Sequence, residues 1–91
     1  MARAPRDTDP ISLDFRRLRQ RRRMLDIPQR ELAERVGVHR NAISYWETGR
    51  RMPTALDLAK LGRALGSPPW ELYDVVDVDG NPISKPWVGY R

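Results

Sequence analysis

The stretch Gln29–Gly49, QRELAERVGVHRNAISYWETG, decides the fold of this chain. Its apolar residues recur at helical spacing in two short segments, which predicts one helix over Gln29–Val36 and another over about Arg40–Thr48. Gly37 separates the segments and can take the positive φ that ends a helix. The small side chain of Ala33 allows the two helices to cross at close range. The pattern therefore predicts two helices joined by a tight turn, a helix-turn-helix motif.

Three further helices are predicted around this motif. The first begins at Ser12, its N-cap, and ends near Leu25, because Pro28 disfavours helical conformation in the residue before it. A fourth helix follows a cap at Thr54, and a short fifth helix covers Pro69–Tyr73. The residues predicted to face the core are Phe15, Leu18, Arg22, Leu25, Leu32, Ala33, Val36, Ala42, Ile43, Trp46, Leu58, Leu61, Leu65 and Leu72.

The C-terminal part has a different pattern. Val75–Ile83 carries β-branched residues around Asp79-Gly80, which is a hairpin-turn signal. We therefore expect an all-α fold, a compact five-helix domain over residues 11–73, with a flexible arm at residues 1–10. The extension at residues 74–91 is expected to form a β-hairpin or strand. It would pair with its copy in a homodimer or, alternatively, dock a protein partner.

The composition narrows the classes of function. The chain has 91 residues, no cysteine and one histidine, so neither a disulfide framework nor a metal site is expected. No apolar run approaches the roughly 20 residues of a membrane span, and no secretory signal is present. These absences predict a cytoplasmic protein, and the DNA binding expected of a helix-turn-helix motif would place it at the nucleoid. No nucleophile–base pair is suggested, so we expect neither an enzyme nor a cofactor.

Positive charge is concentrated in the N-terminal part of the chain. The net charge is +5, and residues 1–52 contain 13 Arg against 7 Asp or Glu. Residues 53–91 contain 4 Lys or Arg against 5 acidic residues. A basic part joined to a nearly neutral part suits a polyanionic partner bound on one face. A GC-rich genome would also raise the arginine content, so the charge alone does not decide the function.

Four polar residues are predicted to lie on the outer face of the third helix: Arg40, Asn41, Ser44 and Tyr45. Arg40 and Asn41 begin this helix, the part that reaches base edges when such a helix enters the major groove. Arginine pairs in bidentate fashion with guanine, and asparagine with adenine. Tyr45 can contact a thymine methyl group or a phosphate. Each residue taken singly also fits a solvated polar face, but together they predict reading of base sequence in double-stranded DNA.

A second set of residues is predicted to contact the DNA backbone, which positions a protein without specifying sequence. Gln29 begins the second helix, where its amide and the neighbouring N–H groups can meet a phosphate. Arg50 and Arg51 follow the third helix and can contact phosphates of the same DNA strand. His39 and Arg19 are further candidates. The alternatives are a plain surface residue for His39 and a solvated charge for Arg19.

Residues 15–73 resemble the phage repressor and Cro family of helix-turn-helix proteins, also called the xenobiotic-response-element type. The resemblance implies a five-helix repressor-like domain that binds a palindromic operator as a dimer. It implies an ion pair between Arg22 and Glu47, a phosphate contact at Gln29 and base contacts at the four outward residues of the third helix. The marks of the resemblance are Arg22, Gln29-Arg30-Glu31-Leu32-Ala33, Val36-Gly37-Val38, Ile43, Trp46-Glu47, Gly49, Pro53, Leu58, Leu61 and Leu65-Gly66.

The resulting expectation is a sequence-specific transcriptional regulator, a dimeric repressor that places its third helix in the major groove. The alternative is an antitoxin that binds DNA and neutralises a toxin through residues 74–91, which include Trp87 and Tyr90. Two other hypotheses are a helical bundle without DNA binding and an interaction module that has lost it. Intact Arg40, Asn41 and Gln29 argue against the last of these.

Overall fold

The computed structural model describes residues 11–83 of the chain. In chain order the elements are β1 (Ile11–Asp14), α1 (Arg16–Met24), α2 (Gln29–Val36), α3 (Arg40–Thr48), α4 (Ala55–Leu65), a 3-10 helix (Pro69–Glu71) and β2 (Asp74–Asp77). The helix-turn-helix pair, α2 and α3, has the predicted bounds. The predicted arm at residues 1–10 and the side chains of Trp87 and Tyr90 lie outside the described residues. Within residues 11–83, no helix is long and apolar enough to cross a membrane.

The first helix begins later than predicted. Ile11–Asp14 is the strand β1, so Ser12 is not an N-cap, and α1 begins at Arg16. β1 pairs antiparallel with β2, with Ser12 opposite Val76. The backbone hydrogen bonds of this segment therefore go to a distant strand, which the local sequence does not reveal. Asp14 accepts a hydrogen bond from the backbone N–H of Arg16, and the Arg16 side chain holds the pKa of Asp14 below its ordinary value.

The strand β2 joins the C-terminal segment to the helical domain. The predicted hairpin is present, because the N–H of Ile83 donates to the carbonyl of Val75 at 2.8 Å and Val76 bridges to Pro82. The main partner of β2 is nevertheless β1, and the side chain of Val76 is buried. The resulting two-stranded sheet corrects the all-α prediction. Both edges of β2 therefore take part in backbone pairing within the chain.

The predicted fifth helix is only a short 3-10 helix, Pro69–Glu71. Pro68 and Pro69 both lack a backbone N–H, and the segment closes i→i+3 bonds from the N–H of Glu71 to the carbonyl of Pro68 and from the N–H of Leu72 to the carbonyl of Pro69. Leu72 is still buried, as predicted. The five-helix count is thus corrected to four α-helices and one 3-10 helix for residues 11–83.

The helices enclose one apolar core, and most of the predicted inward residues belong to it. Leu25 is an exception at 42% exposed, because α1 has ended at Met24 and the chain turns outward. The apolar side chain that is buried in this turn is Ile27, 6% exposed. The buried cluster consists of Phe15, Leu18, Ile27, Leu32, Ala33, Val36, Ile43, Trp46, Leu61, Leu65 and Leu72.

Side chains satisfy the backbone groups at both ends of α4. The Thr54 hydroxyl accepts from the N–H of Asp57 at 3.1 Å, and the Asp57 carboxylate accepts from the N–H of Thr54 at 3.0 Å. This reciprocal capping box confirms Thr54 as the N-cap. At the other end, Arg21 of α1 donates to the carbonyls of Leu65 and Gly66 at 3.1 and 3.3 Å. A cation at the carbonyl end of a helix is favourable, so Arg21 ties α1 to α4.

Gly62 lies where α4 passes closest to the segment that follows it. A Cβ atom at this position would lie 2.5 Å from the backbone oxygen of Ser67 and 3.3 Å from the ring of Pro69. We therefore expect Gly62→Ala to lower the free energy of unfolding by about 1–3 kcal/mol, as overpacking does. Helix propensity alone would give the opposite change in stability, because it favours alanine over glycine by about 1 kcal/mol.

Denaturant unfolding of the parent protein and of Gly62→Ala measures this effect. Ala59→Gly, at an exposed position of the same helix, is the control and should cost about 1 kcal/mol through propensity alone. A Gly62→Ala protein that is more stable than the parent would contradict the close approach.

Candidate nucleic-acid interface

The helix α3 is braced from behind by α2. Ile43 and Trp46 on the inner face of α3 are buried, and Ala33 of α2, 2% exposed, adds no bulk between the two helices. Gly37 takes a φ of +82°, a conformation that glycine adopts without steric cost, so the chain turns tightly between the helices. The opposite face of α3 is therefore the face left to solvent.

The four predicted base-reading residues lie on this outer face. Arg40 and Asn41 are exposed, and Ser44 and Tyr45 are half-buried one turn further along. Within the described part of the chain, the side chains of Arg40 and Asn41 make no hydrogen bond or ion pair. Both side chains therefore retain their full hydrogen-bonding capacity for an external partner.

His39 precedes α3 and is its N-cap. The Nδ1 atom of His39 accepts a hydrogen bond from the backbone N–H of Asn41 at 3.0 Å. The carbonyl of His39 accepts from the N–H of Ala42 at 2.9 Å. The imidazole is exposed beside the first turn of the helix. It therefore lies at the same end of α3 as the two predicted base-reading side chains, Arg40 and Asn41.

A cationic cluster lies at the other end of α3. The guanidinium carbons of Arg50 and Arg51 lie 5.4 and 5.7 Å from the ring centroid of Tyr45, within the range of cation–π attraction. The backbone N–H groups of both arginines also donate to the carbonyl of Tyr45, at 2.9 and 3.3 Å. Two predicted phosphate contacts and one predicted base contact thus form a single stacked unit, which restricts the orientation of the tyrosine ring.

A buried ion pair ties α1 to the end of α3. The Nε of Arg22 lies 2.6 Å from Oε2 of Glu47, and the Nη2 lies 3.0 Å from Oε1. The two side chains are only 9% and 1% exposed. Arg22 also donates from Nη1 to the carbonyl of Ile27 at 2.9 Å. One guanidinium therefore holds together α1, the turn that leads into α2, and the last turn of α3.

Gln29 is hydrogen-bonded to the same carboxylate. Its Nε2 donates to Oε1 of Glu47 at 3.1 Å, so this oxygen accepts from both Arg22 and Gln29. The amide retains one N–H hydrogen and its carbonyl oxygen for other partners. Gln29 and Arg40 line the same open groove between the starts of α2 and α3. The fold thus brings a predicted phosphate contact beside a predicted base contact.

Arg19 differs from most of the other arginines of α1. Within residues 11–83 its exposed side chain has no hydrogen-bonded or charged partner. It lies three residues before Arg22, and residues at this spacing share one side of a helix, here the side that contacts α3. Its charge is therefore free on that side of the domain. The α1 arginines that form ion pairs or donate hydrogen bonds to carbonyl groups of the domain are Arg16, Arg17, Arg21 and Arg22.

Two features of this surface were not predicted. One is the hydrogen bond from Gln29 to Glu47, and the other is the stacking of Arg50 and Arg51 on Tyr45. The only sequence signal for the stacking is that a tyrosine stands five and six residues before two consecutive arginines. Among residues 11–83, no group of three or more His, Cys, Asp or Glu side chains could hold a metal ion.

Known proteins are similar to this chain in both sequence and fold. The family described as Helix-turn-helix matches residues 18–72. A curated relative, an uncharacterized HTH-type transcriptional regulator of Methanothermobacter thermautotrophicus, is 41% identical over 63 residues. This match covers 69% of the present chain and 91% of that protein.

Two solved structures are similar over most of the helical domain. The P22 c2 repressor, determined in complex with a synthetic operator, has 40% sequence identity and a TM-score of 0.61. The restriction-modification controller protein C.AhdI of Aeromonas hydrophila has 33% identity and a TM-score of 0.61. Each match covers 63% of this chain and 86% of the other. The chain therefore belongs to the helix-turn-helix family of the phage repressor and Cro type.

Proposed function

We propose that this protein is a transcriptional regulator that binds duplex DNA sequence-specifically through α3. The observation that carries the proposal is the outer face of α3, where Arg40 and Asn41, unpaired within residues 11–83, begin a helix whose other face is buried. The major groove, about 12 Å wide, admits one α-helix, and the first residues of that helix reach the base edges. In this complex Arg40 reads guanine and Asn41 reads adenine, with Ser44 and Tyr45 contacting neighbouring base pairs.

Backbone contacts lie on both sides of α3 in the proposed complex. Gln29 offers the free N–H of its amide at the start of α2, where the helix N-terminus also attracts a phosphate. Arg50 and Arg51 supply two positive charges at the far end of α3, and Arg19 adds a third from α1. Contacts on both sides hold α3 at one depth and angle in the groove, which is the condition for reading sequence.

Two copies are proposed to share one operator. A single α3 reads only a few base pairs, and proteins with this motif extend the site by binding two half-sites about 34 Å apart. The similarity to the P22 c2 repressor, which was solved in complex with a synthetic operator, supports an operator as the DNA partner. We therefore propose a homodimer that acts as a repressor by occupying a palindromic operator within a promoter.

The antitoxin hypothesis gains no support from residues 11–83. The first four residues of the proposed toxin-binding segment, Asp74–Asp77, form β2 and pair with β1 of the same chain. The aromatic side chains on which the hypothesis depended, Trp87 and Tyr90, lie outside the described residues. DNA binding is therefore the function that the geometry supports.

Selection of bound fragments from a random duplex library tests the proposal. We expect an enriched palindrome with half-sites about one helical turn apart, and a complex that sediments with two protein copies per duplex. Binding that weakens with salt but enriches no motif would show non-specific affinity for the DNA backbone and contradict the proposal. An asymmetric site bound by one copy would support sequence-specific recognition but contradict the proposed dimer.

A further inference from the structure

We infer that His39 serves two purposes in the DNA complex: its Nδ1 caps α3 while its Nε2–H donates to a DNA phosphate. The inference rests on the proposed DNA-binding function. It assigns the group that meets the DNA backbone at the start of the base-reading helix.

The capping bond determines which nitrogen of the imidazole carries the hydrogen. Nδ1 accepts the N–H of Asn41 at 3.0 Å, so Nδ1 has no hydrogen of its own. In a neutral ring the hydrogen is then on Nε2. Within residues 11–83, Nε2 has no hydrogen-bond partner, and the side chain is exposed. His39 therefore presents a single, oriented N–H donor to the surroundings.

The same bonds occupy backbone donors that would otherwise meet a phosphate. Anions bind at helix N-termini through the free N–H groups of the first turn. In α3, the N–H of Asn41 donates to the His39 ring, and the N–H of Ala42 donates to the His39 carbonyl. The helix end still favours negative charge. The imidazole accepts a hydrogen bond on Nδ1 and donates one from Nε2. Because hydrogen bonds in series polarise one another, the positive helix end makes the Nε2–H a stronger donor to an anion.

The position of His39 makes a phosphate the fitting acceptor. Arg40 and Asn41 follow it directly, and in the proposed complex their side chains reach the base edges. The residue before them then lies at the rim of the major groove, where the phosphates of one strand pass. A neutral donor at this place strengthens binding without adding a charge, which distinguishes His39 from Arg50 and Arg51.

His39→Asn separates the two roles, because asparagine is a good N-cap but has no donor at the position of Nε2. We expect an unchanged melting temperature and binding weakened about tenfold per half-site, the size of one hydrogen bond to a charged group. The loss should be equal on the operator and on unrelated duplex, as for any phosphate contact. The slope of log K against log salt should not change, since no cation is removed. Arg50→Gln is the contrasting variant and should reduce that slope by about 1 per half-site.

Nitrogen-15 NMR of the full chain gives an independent measurement, since His39 is the single histidine. We expect an unprotonated Nδ1 and a protonated Nε2 in the free protein, and an Nε2–H that exchanges slowly once operator is bound. A hydrogen on Nδ1 would overturn the inference, and so would a His39→Asn protein that binds DNA as tightly as the parent. If His39→Asn melts at a lower temperature, the NMR result decides. Failure of the parent protein to bind any duplex would refute the proposed function, and the phosphate contact with it.

Discussion

Glu47→Leu is expected to lower the free energy of unfolding by about 3–5 kcal/mol, a large part of the stability of a domain of this size. The carboxylate is 1% exposed and accepts hydrogen bonds from both Arg22 and Gln29. Its removal leaves the buried guanidinium of Arg22 without its counter-charge, and an unpaired buried charge is far more costly than the pair is beneficial. Urea unfolding followed by circular dichroism measures the loss.

The double variant Arg22→Met/Glu47→Leu is expected to recover most of that loss. Replacing both charges by apolar groups of similar volume removes the cost of burying them, although the bond from Arg22 to the carbonyl of Ile27 is also lost. The control is Glu31→Gln, which breaks the exposed pair with Arg35 and should change the stability by no more than about 0.5 kcal/mol. A double variant as unstable as Glu47→Leu would contradict this explanation.

Arg40→Ala and Asn41→Ala are each expected to weaken binding to the selected operator by about 1–3 kcal/mol per half-site. A dimer loses the contact in both half-sites. The loss should be confined to one or two base pairs of each half-site, because each side chain forms its bonds with one base edge. Titrations with the operator and with duplexes altered at single positions measure both the size of the loss and its position.

Arg63→Ala is a matched control for Arg40→Ala. Arg63 is an exposed arginine on α4, and within residues 11–83 it has no hydrogen-bonded or charged partner. Its removal subtracts the same charge without touching α3, so operator affinity should stay close to that of the parent. Uniform weakening by Arg40→Ala or Asn41→Ala on every sequence would show that the residue contacts phosphate and not a base.

Local sequence patterns were sufficient for the helix-turn-helix pair. The bounds of α2 and α3 follow from helical periodicity, from Pro28 immediately before α2, and from Gly37 and Gly49 immediately after the two helices. These signals act within a few residues of the position they determine. For the same reason the capping residue Thr54 could be named from sequence.

The strand β1 could not be foreseen in this way. Ser12 and Asp14 are good helix-start residues, and the local pattern favours a helix there. The competing structure draws its backbone hydrogen bonds from Asp74–Asp77, at the far end of the described chain. Ile11–Asp14 does alternate apolar and polar residues, but four residues are too few to decide between a strand and a helix start. The partner strand lies far along the chain, which is why the first helix was predicted too early.

By itself, the sequence determined which residues form α3, the helix proposed to read bases, and which of its faces is polar, because both follow from spacing along one helix. The buried pair of Arg22 and Glu47 was implied only by family resemblance. The tertiary structure alone decided how the surrounding groups are bonded: Gln29 to Glu47, Arg21 to the end of α4, and Arg50 and Arg51 to the ring of Tyr45. Hydrogen bonds and stacking depend on distances of a few ångströms between side chains, and most of these are set only when separate elements pack together.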